Sequence, residues 1–156
     1  MIAIDIPGFA KLKLAHLVLD YNGTLALDGR LLPGVAKALC GVAPRIDIHV
    51  VTADTFGLAK AQLAELPVEL TIVPVEDQAA AKLRFVNALG ANTVVAIGNG
   101  RNDRKMLGAA DLGIALVQHE GGAAEALASA DVISTSILDA LDLLHNPKRL
   151  VATLRS

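Results

Sequence analysis

The sequence predicts an α/β fold in three layers: a Rossmann-like parallel sheet with helices on both faces. Three observations carry that expectation. Short apolar runs alternate with helical patterns along most of the chain, the mark of parallel strands joined by covering helices. Hydrophobic residues make up 53% of the 156 positions and aromatic residues only 3%, a balance that suits close helix–sheet contacts. Asp20 directly follows the apolar run Leu17-Val18-Leu19 and precedes a turn with Gly23 and Thr24. Strand, acid and tight turn is how an α/β protein presents a nucleophile or metal ligand at the carboxyl edge of its sheet.

The elements follow in chain order. Ile2–Ile6 and Lys11–Ala15 alternate in polarity around Pro7-Gly8 and predict a two-stranded antiparallel ribbon at the sheet edge. Core strands are expected at His16–Asp20, Ile46–Val51, Val68–Val73, Thr93–Ile97, Leu112–Ala115 and Val132–Ile133. Helices are expected near Pro33–Gly41, Thr55–Glu65, Asp77–Leu89, Asp103–Ala110 and Gly122–Ala128, and a last pair at Ile137–Leu144 and Pro147–Leu154. Pro33 suits a first helical position, and Gly41 and Gly90 suit helix stops. Each strand–helix step is short, which leaves no room for an inserted cap. Residues 1–156 are read as one domain, with the ribbon at 2–15, a core at 16–135 and terminal helices at 136–156.

The formal charge of −2 gives no electrostatic reason to bind nucleic acid or an anionic membrane, and the shortage of aromatics argues against a stacking platform for single strands. The single cysteine, Cys40, permits no internal disulfide and is read as a small apolar residue packed in a helix. The amino terminus does not resemble a signal peptide, and no apolar run reaches membrane-spanning length. A cytoplasmic protein is expected.

Three further signals stand at strand ends or helix starts downstream of Asp20. Thr52 ends the apolar run Val50-Val51; it could donate to a phosphate oxygen beside the amide of Ala53, or cap the next helix, a job Asp54 or Thr55 could also do. Lys82 lies in the first half of the third helix, where a fixed ammonium would neutralise phosphoryl oxygens; a solvated lysine is the plain alternative, and Arg84 lies on a different face. Gly98-Asn99-Gly100-Arg101-Asn102-Asp103 follows another strand, with two glycines that let backbone approach a ligand. It lacks the third glycine of a dinucleotide fingerprint and the Lys-Ser/Thr of a P-loop.

In this order, Asp20-x-x-Gly23-Thr24-Leu25, Thr52, Lys82 and Gly98-x-Gly100-x-Asn102-Asp103 resemble the haloacid dehalogenase superfamily of phosphohydrolases. The resemblance covers residues 16–135 and is nearest to soluble relatives of the P-type ATPase phosphorylation domain. It implies a phosphatase in which Asp20 is the nucleophile that takes the phosphoryl group. It implies Mg²⁺ held by Asp20, Asp103, the Asn22 carbonyl and the residue at Asn99. Gly23, Thr24, Thr52, Ala53, Lys82 and Asn102 would bind the phosphoryl group or shape its loop.

Two positions depart from that pattern. Asn22 stands where hydrolytic members carry a general acid/base Asp, which implies slow turnover and a long-lived phosphoenzyme. Asn99 stands where a magnesium-binding Asp is usual, so one negative charge is lost. The same residues also permit a binding or regulatory protein that kept the fold and lost turnover, or a capless sugar-phosphate phosphatase completed as a tetramer. The expected partner is a phosphorylated small molecule or phosphoprotein, with a dimer or tetramer as the assembly if a neighbour covers the site. His16, His49, His119 and His145 show no spacing that suggests ligation. His119-Glu120 is placed on the rim of the site, Arg101 is read as a solvated loop charge, and Asp28, Asp54 and Asp111 as turn or cap residues.

Overall fold

The computed structural model describes residues 1–156. In chain order the elements are β1 (Ile2–Ile6), β2 (Ala10–Leu14), β3 (His16–Leu19), β4 (Ala26–Leu27), β5 (Arg30–Leu31), α1 (Val35–Val42), β6 (Asp47–Thr52) and α2 (Ala59–Leu63). They continue with β7 (Glu69–Ile72), α3 (Gln78–Leu89), β8 (Val94–Gly98), α4 (Arg104–Ala109), β9 (Leu112–Leu116), α5 (Ala124–Ser129), β10 (Val132–Ser134), α6 (Ile137–His145) and α7 (Pro147–Leu154). Six parallel strands form the central sheet in the order β10-β9-β8-β3-β6-β7.

Strand periodicity sorts the side chains into two cores. Leu17, Leu19, Ile48, Val50, Val95, Ile97 and Ile114 face Leu39 of α1, Leu63 of α2, Leu141 of α6 and Leu150 of α7. Val18, Val51, Val94, Ala96 and Ala115 face Val86 of α3, Met106 of α4 and Ala126 of α5. The second core uses smaller residues because its helices lie close to the sheet: a side chain at Gly113 would run into the Leu107 carbonyl. Fully burying each of the larger aliphatic side chains contributes about 1.5–3 kcal/mol.

The chain runs from β3 outward to β6 and β7, then crosses back over β3 to β8, β9 and β10. The reversal puts the switch point, where open α/β sheets bind ligands, at the carboxyl end of β3.

Several expectations change. The ribbon exists, with Ile2 opposite Leu14 and Ile6 opposite Ala10, but as a separate sheet rather than at an edge of the main one. Its apolar face (Ile2, Ile4, Ile6, Leu12, Leu14) joins the first core, and α7 packs on β1. The outer strands of the main sheet are β7 and β10. Helix α1 begins after Pro33 and runs through Gly41, because Gly34, at φ 84, makes the turn into the helix. Helix α2 is shorter than expected, since Asp54 (φ 53) and Gly57 (φ 69) keep residues 53–58 in a loop. Gly90 does end α3, and Pro147 does open α7. Cys40 is exposed on α1, not packed. No helix is long and apolar enough to cross a membrane.

One hairpin lies outside these expectations. Strands β4 and β5 pair across Asp28 (φ 52) and Gly29 (φ 85), so the Asp-Gly dipeptide forms a tight turn that is a recognised hairpin signal. This flap follows the Asp20 loop directly.

Candidate active site

Asp20 leaves the end of β3 with its N–H donated to the Ile97 carbonyl, 3.1 Å away. The next residues wind tightly: the Tyr21 carbonyl accepts from Thr24, Leu25 and Ala26, and Gly23 N donates to Ala26 O at 2.7 Å. Two side chains of this turn hold the flap. Tyr21 Oη donates to Gly29 O at 2.8 Å, and Asn22 Oδ1 accepts from Gly29 N at 3.0 Å. Burial, reinforced by the charge of Asp54, pushes the Tyr21 phenol up to about 12, so it stays a donor.

Lys82 is fully buried between two carboxylates. Its Nζ donates to Asp20 Oδ1 at 2.8 Å and to Asp103 Oδ1 at 2.7 Å. Desolvation acts to lower the ammonium pKa, but the charges of Asp20 and Asp103 outweigh it and raise it above the usual lysine value. Asp20 is raised to about 6, first by desolvation and then by Asp103, with Lys82 pulling the other way. The other Asp103 oxygen accepts from the Asn99 and Gly100 amides at 3.0 and 2.9 Å. A Cβ at Gly98 would stand 2.5 Å from that carboxylate, so glycine here makes room for Asp103 itself.

The other expected residues divide. Thr24 Oγ1 reaches Asp20 Oδ2 at 3.4 Å, while the Gly23 and Thr24 amides are consumed by the turn. Thr52 Oγ1 accepts from Asp54 N at 3.0 Å, which leaves its proton free to donate outward. Asp54 Oδ1 in turn accepts from Ala59 N and performs the capping duty at α2. The Ala53 amide has no backbone acceptor. Asn102 Nδ2 donates to Gln78 Oε1 at 2.8 Å, and Asn99 Nδ2 to Gly121 O at 3.1 Å. Arg84 is exposed, and Arg101 is an exposed charge that pairs with Glu125.

Two features escaped the sequence. Gln118 donates to the Gly23 and Thr24 carbonyls at 3.1 and 3.0 Å and accepts from Ile137 N at 2.8 Å, stitching the Asp20 loop to α6. Nothing in the sequence marks a lone glutamine after a strand. His16 and His49 also meet, although they lie far apart in the chain. Strand register brings them together, and only pairing of β3 with β6 could have revealed it.

Asp20, Asn22, Thr52, Ala53, Asn99 and Asn102 line one open cleft of about 670 Å³, with Phe56, Val75, Asp77, Arg101, Arg104 and Glu120 among its other walls. Lys82 and Asp103 sit beneath it. Burial, and secondarily Asp28, raise the Glu120 carboxyl above its ordinary range. As placed, no three His, Cys, Asp or Glu side chains converge in a way that could hold a metal ion.

No family model matches the chain. An uncharacterised protein of Methanocaldococcus jannaschii is 43% identical over 79 residues, which are 48% of this chain and 85% of that protein. A second uncharacterised protein of the same organism is 41% identical over 39 residues, 25% of this chain and 89% of its own. Among solved structures, the cobalt-bound deoxy-D-mannose-octulosonate 8-phosphate phosphatase of Haemophilus influenzae superposes with TM-score 0.72 at 12% identity, over 92% of this chain and 94% of that one. The 3-deoxy-D-manno-octulosonate 8-phosphate phosphatase of Moraxella catarrhalis, in complex with magnesium, phosphate and KDO, gives 0.65 at 20% identity over 91% and 94%. A zinc-transporting PIB-type ATPase gives 0.59 at 26% identity, over 78% of this chain and 20% of the pump.

Proposed function

We propose that the chain is a member of the haloacid dehalogenase superfamily and acts as a slow, Mg²⁺-dependent phosphohydrolase or phosphotransferase with Asp20 as covalent nucleophile. The observation that carries this reading is the buried Asp20–Lys82–Asp103 trio beneath an open cleft. Burying three charged groups is costly unless each is paired and hydrogen-bonded, as these are. Their placement at the switch point points to chemistry on an anionic group.

In the proposed reaction an Asp20 carboxylate oxygen attacks phosphorus, forming an acyl phosphate as the ester or anhydride P–O bond breaks. Lys82 holds Oδ1; Oδ2, with only the long Thr24 contact, is the oxygen left to react. The Thr52 hydroxyl and Ala53 amide would donate to phosphoryl oxygens, and such placement is the main source of catalysis in this chemistry. The leaving oxygen departs with the bonding electrons. Asn22 has no proton to give it, and its side-chain oxygen is occupied by Gly29. Leaving groups of low basicity are therefore favoured. Water then cleaves the acyl phosphate, releasing phosphate and restoring Asp20 without a dedicated base.

The donor set fits magnesium. It consists of oxygens only: Asp20, the Asn22 carbonyl, which accepts no backbone hydrogen bond, and Asn99 Oδ1, left without a partner by its amide's bond to Gly121. Asp103, with both oxygens engaged, would add charge through Lys82 rather than a direct bond. The ion, when bound, supplies neutralisation of the phosphoryl oxygens. The substrate class proposed is a phosphorylated small molecule or an exposed phosphorylated side chain, since the cleft has no inserted cap.

The test compares the wild type with Asp20→Asn on acetyl phosphate and p-nitrophenyl phosphate with Mg²⁺. Activity confined to the wild type supports the enzyme. Equal rates would leave a binding protein on an enzyme fold, a reading that Asn22 already favours by serving the flap.

A further inference from the structure

A second polar cluster lies at the opposite end of the sheet from the cleft. His16 opens β3, and Asp47 and His49 lie on β6. Glu69 opens β7, and register pairs His16 with Asp47 and His49 with Glu69. All four share the face that elsewhere carries Val18, Val51 and Val94. His16 Nδ1 lies 3.1 Å from His49 Nε2. The other nitrogen of His49, Nδ1, is 3.3 Å from Glu69 Oε2, and Asp47 Oδ2 is 4.0 Å from His16 Nδ1. The cluster borders a cavity of about 460 Å³ lined by Asp47, His49 and Glu69 among others.

We propose that His16 Nδ1 and His49 Nε2 form a binding site for one borderline transition-metal ion of the zinc class, independent of the phosphoryl cleft. Geometry gives the first reason. Two imidazole nitrogens each about 2.0–2.1 Å from one ion are separated by roughly 2.9–3.4 Å for bond angles between square and tetrahedral; the observed separation falls inside that window. The second reason is orientation. A carboxylate holding the far N–H of a metal-binding imidazole fixes the tautomer that frees the near nitrogen, and Glu69 is placed to do so for His49.

The third reason is what can complete the shell. Asp47 is exposed, so its carboxylate can rotate without disturbing the core. Only two nitrogens converge as the side chains stand; Asp47, whose Oδ2 lies 4.0 Å from His16 Nδ1, is the carboxylate that would supply a third ligand, and water would fill the rest. Mixed nitrogen and oxygen ligands suit Zn²⁺, Ni²⁺ or Cu²⁺ and not Mg²⁺. Without an ion, the same contact would be one imidazole donating its proton to the other.

The test is Zn²⁺ titration by calorimetry of the chelator-treated, dialysed protein, alongside Asp20→Asn and His16→Asn, with circular dichroism to confirm folding. One equivalent bound by wild type and Asp20→Asn, and at least tenfold weaker binding by His16→Asn, is the expected result. Equal binding by wild type and His16→Asn overturns the proposal, as does binding lost in Asp20→Asn or absent in the wild type. Should His16→Asn misfold, added Ni²⁺ supplies the answer in the wild type, where paramagnetic broadening should centre on residues 16, 47, 49 and 69. Broadening centred on the cleft, or on His119 or His145, would overturn it.

Discussion

Strands β3 and β6 each carry polar groups at both ends, and the two ends handle burial in opposite ways. At the carboxyl end, Asp20 and Thr52 sit above a fully buried Lys82 whose charge is matched by two carboxylates at 2.8 and 2.7 Å. At the amino end, His16 and His49 face each other, while the nearby acids Asp47 and Glu69 lie in solvent. Burial keeps His49 below the usual imidazole range, against the pull of Glu69. Deep burial requires every charge to be paired, which fixes the lysine in one place. His49 is buried too, but as a neutral imidazole facing His16 and Glu69 it needs no matching charge to stay there.

The largest test of this contrast is Lys82→Met. It leaves Asp20 and Asp103 facing each other in the interior, and loss of a buried ionic partner typically costs about 3–5 kcal/mol. We expect a stability loss of that order in urea titrations at neutral pH, with phosphoryl transfer abolished. The loss should shrink at pH 5, because protonating a carboxylate removes the repulsion. His16→Asn, at the other end of β3, should leave phosphatase activity unchanged; a comparable loss would mean that the two ends are not separate.

Asn22→Asp should produce the next largest effect. An aspartate can still accept from Gly29 N, so the flap stays in place while a proton donor is gained. General acid–base catalysis is worth about 10²–10⁴-fold, and a rise in kcat of about 10²-fold is expected for alkyl phosphates. Acyl phosphates, whose leaving groups need no proton, should gain far less. An equal gain on both would separate position 22 from proton transfer.

The smallest effect expected is that of pH. The Asp20 carboxylate is raised to about 6, mainly by desolvation, and must be ionised to attack. At subsaturating Mg²⁺, activity should therefore be level above that value and fall about tenfold for each pH unit below it, since only the ionised fraction reacts; saturating Mg²⁺, which favours the ionised form, should move the fall to lower pH. A profile flat down to pH 5 would show that Asp20 ionises more readily than its burial implies.

Much of this was legible in the sequence. The carboxyl ends of β3, β6 and β8 carry their chemistry in local motifs, so Asp20, Thr52 and Asp103 could be placed at strand ends from strand and turn signals, while their joining in one site rested on the resemblance of the ordered set. Lys82 was named there, but its complete burial was not foreseeable, because helical spacing does not tell which face a lysine turns inward until α3 has docked. Gln118 and the His16–His49 pair were invisible for a related reason. Their partners come from register between distant strands and from α6, information that no short window of residues contains. The start of α1 differs from expectation because Gly34, not Pro33, sets the turn, and Cys40 because a small residue carries little facial preference.

The flap consists of six residues, 26 to 31, tethered near its tip by Tyr21 and Asn22. It is the size of a loop, not a domain, and loops of this size move on nanosecond to microsecond times rather than the microseconds to milliseconds of hinge closure. Reactants would come and go without waiting for a large closure. A large closure would then not mask bond making and breaking at phosphorus in rapid-mixing kinetics.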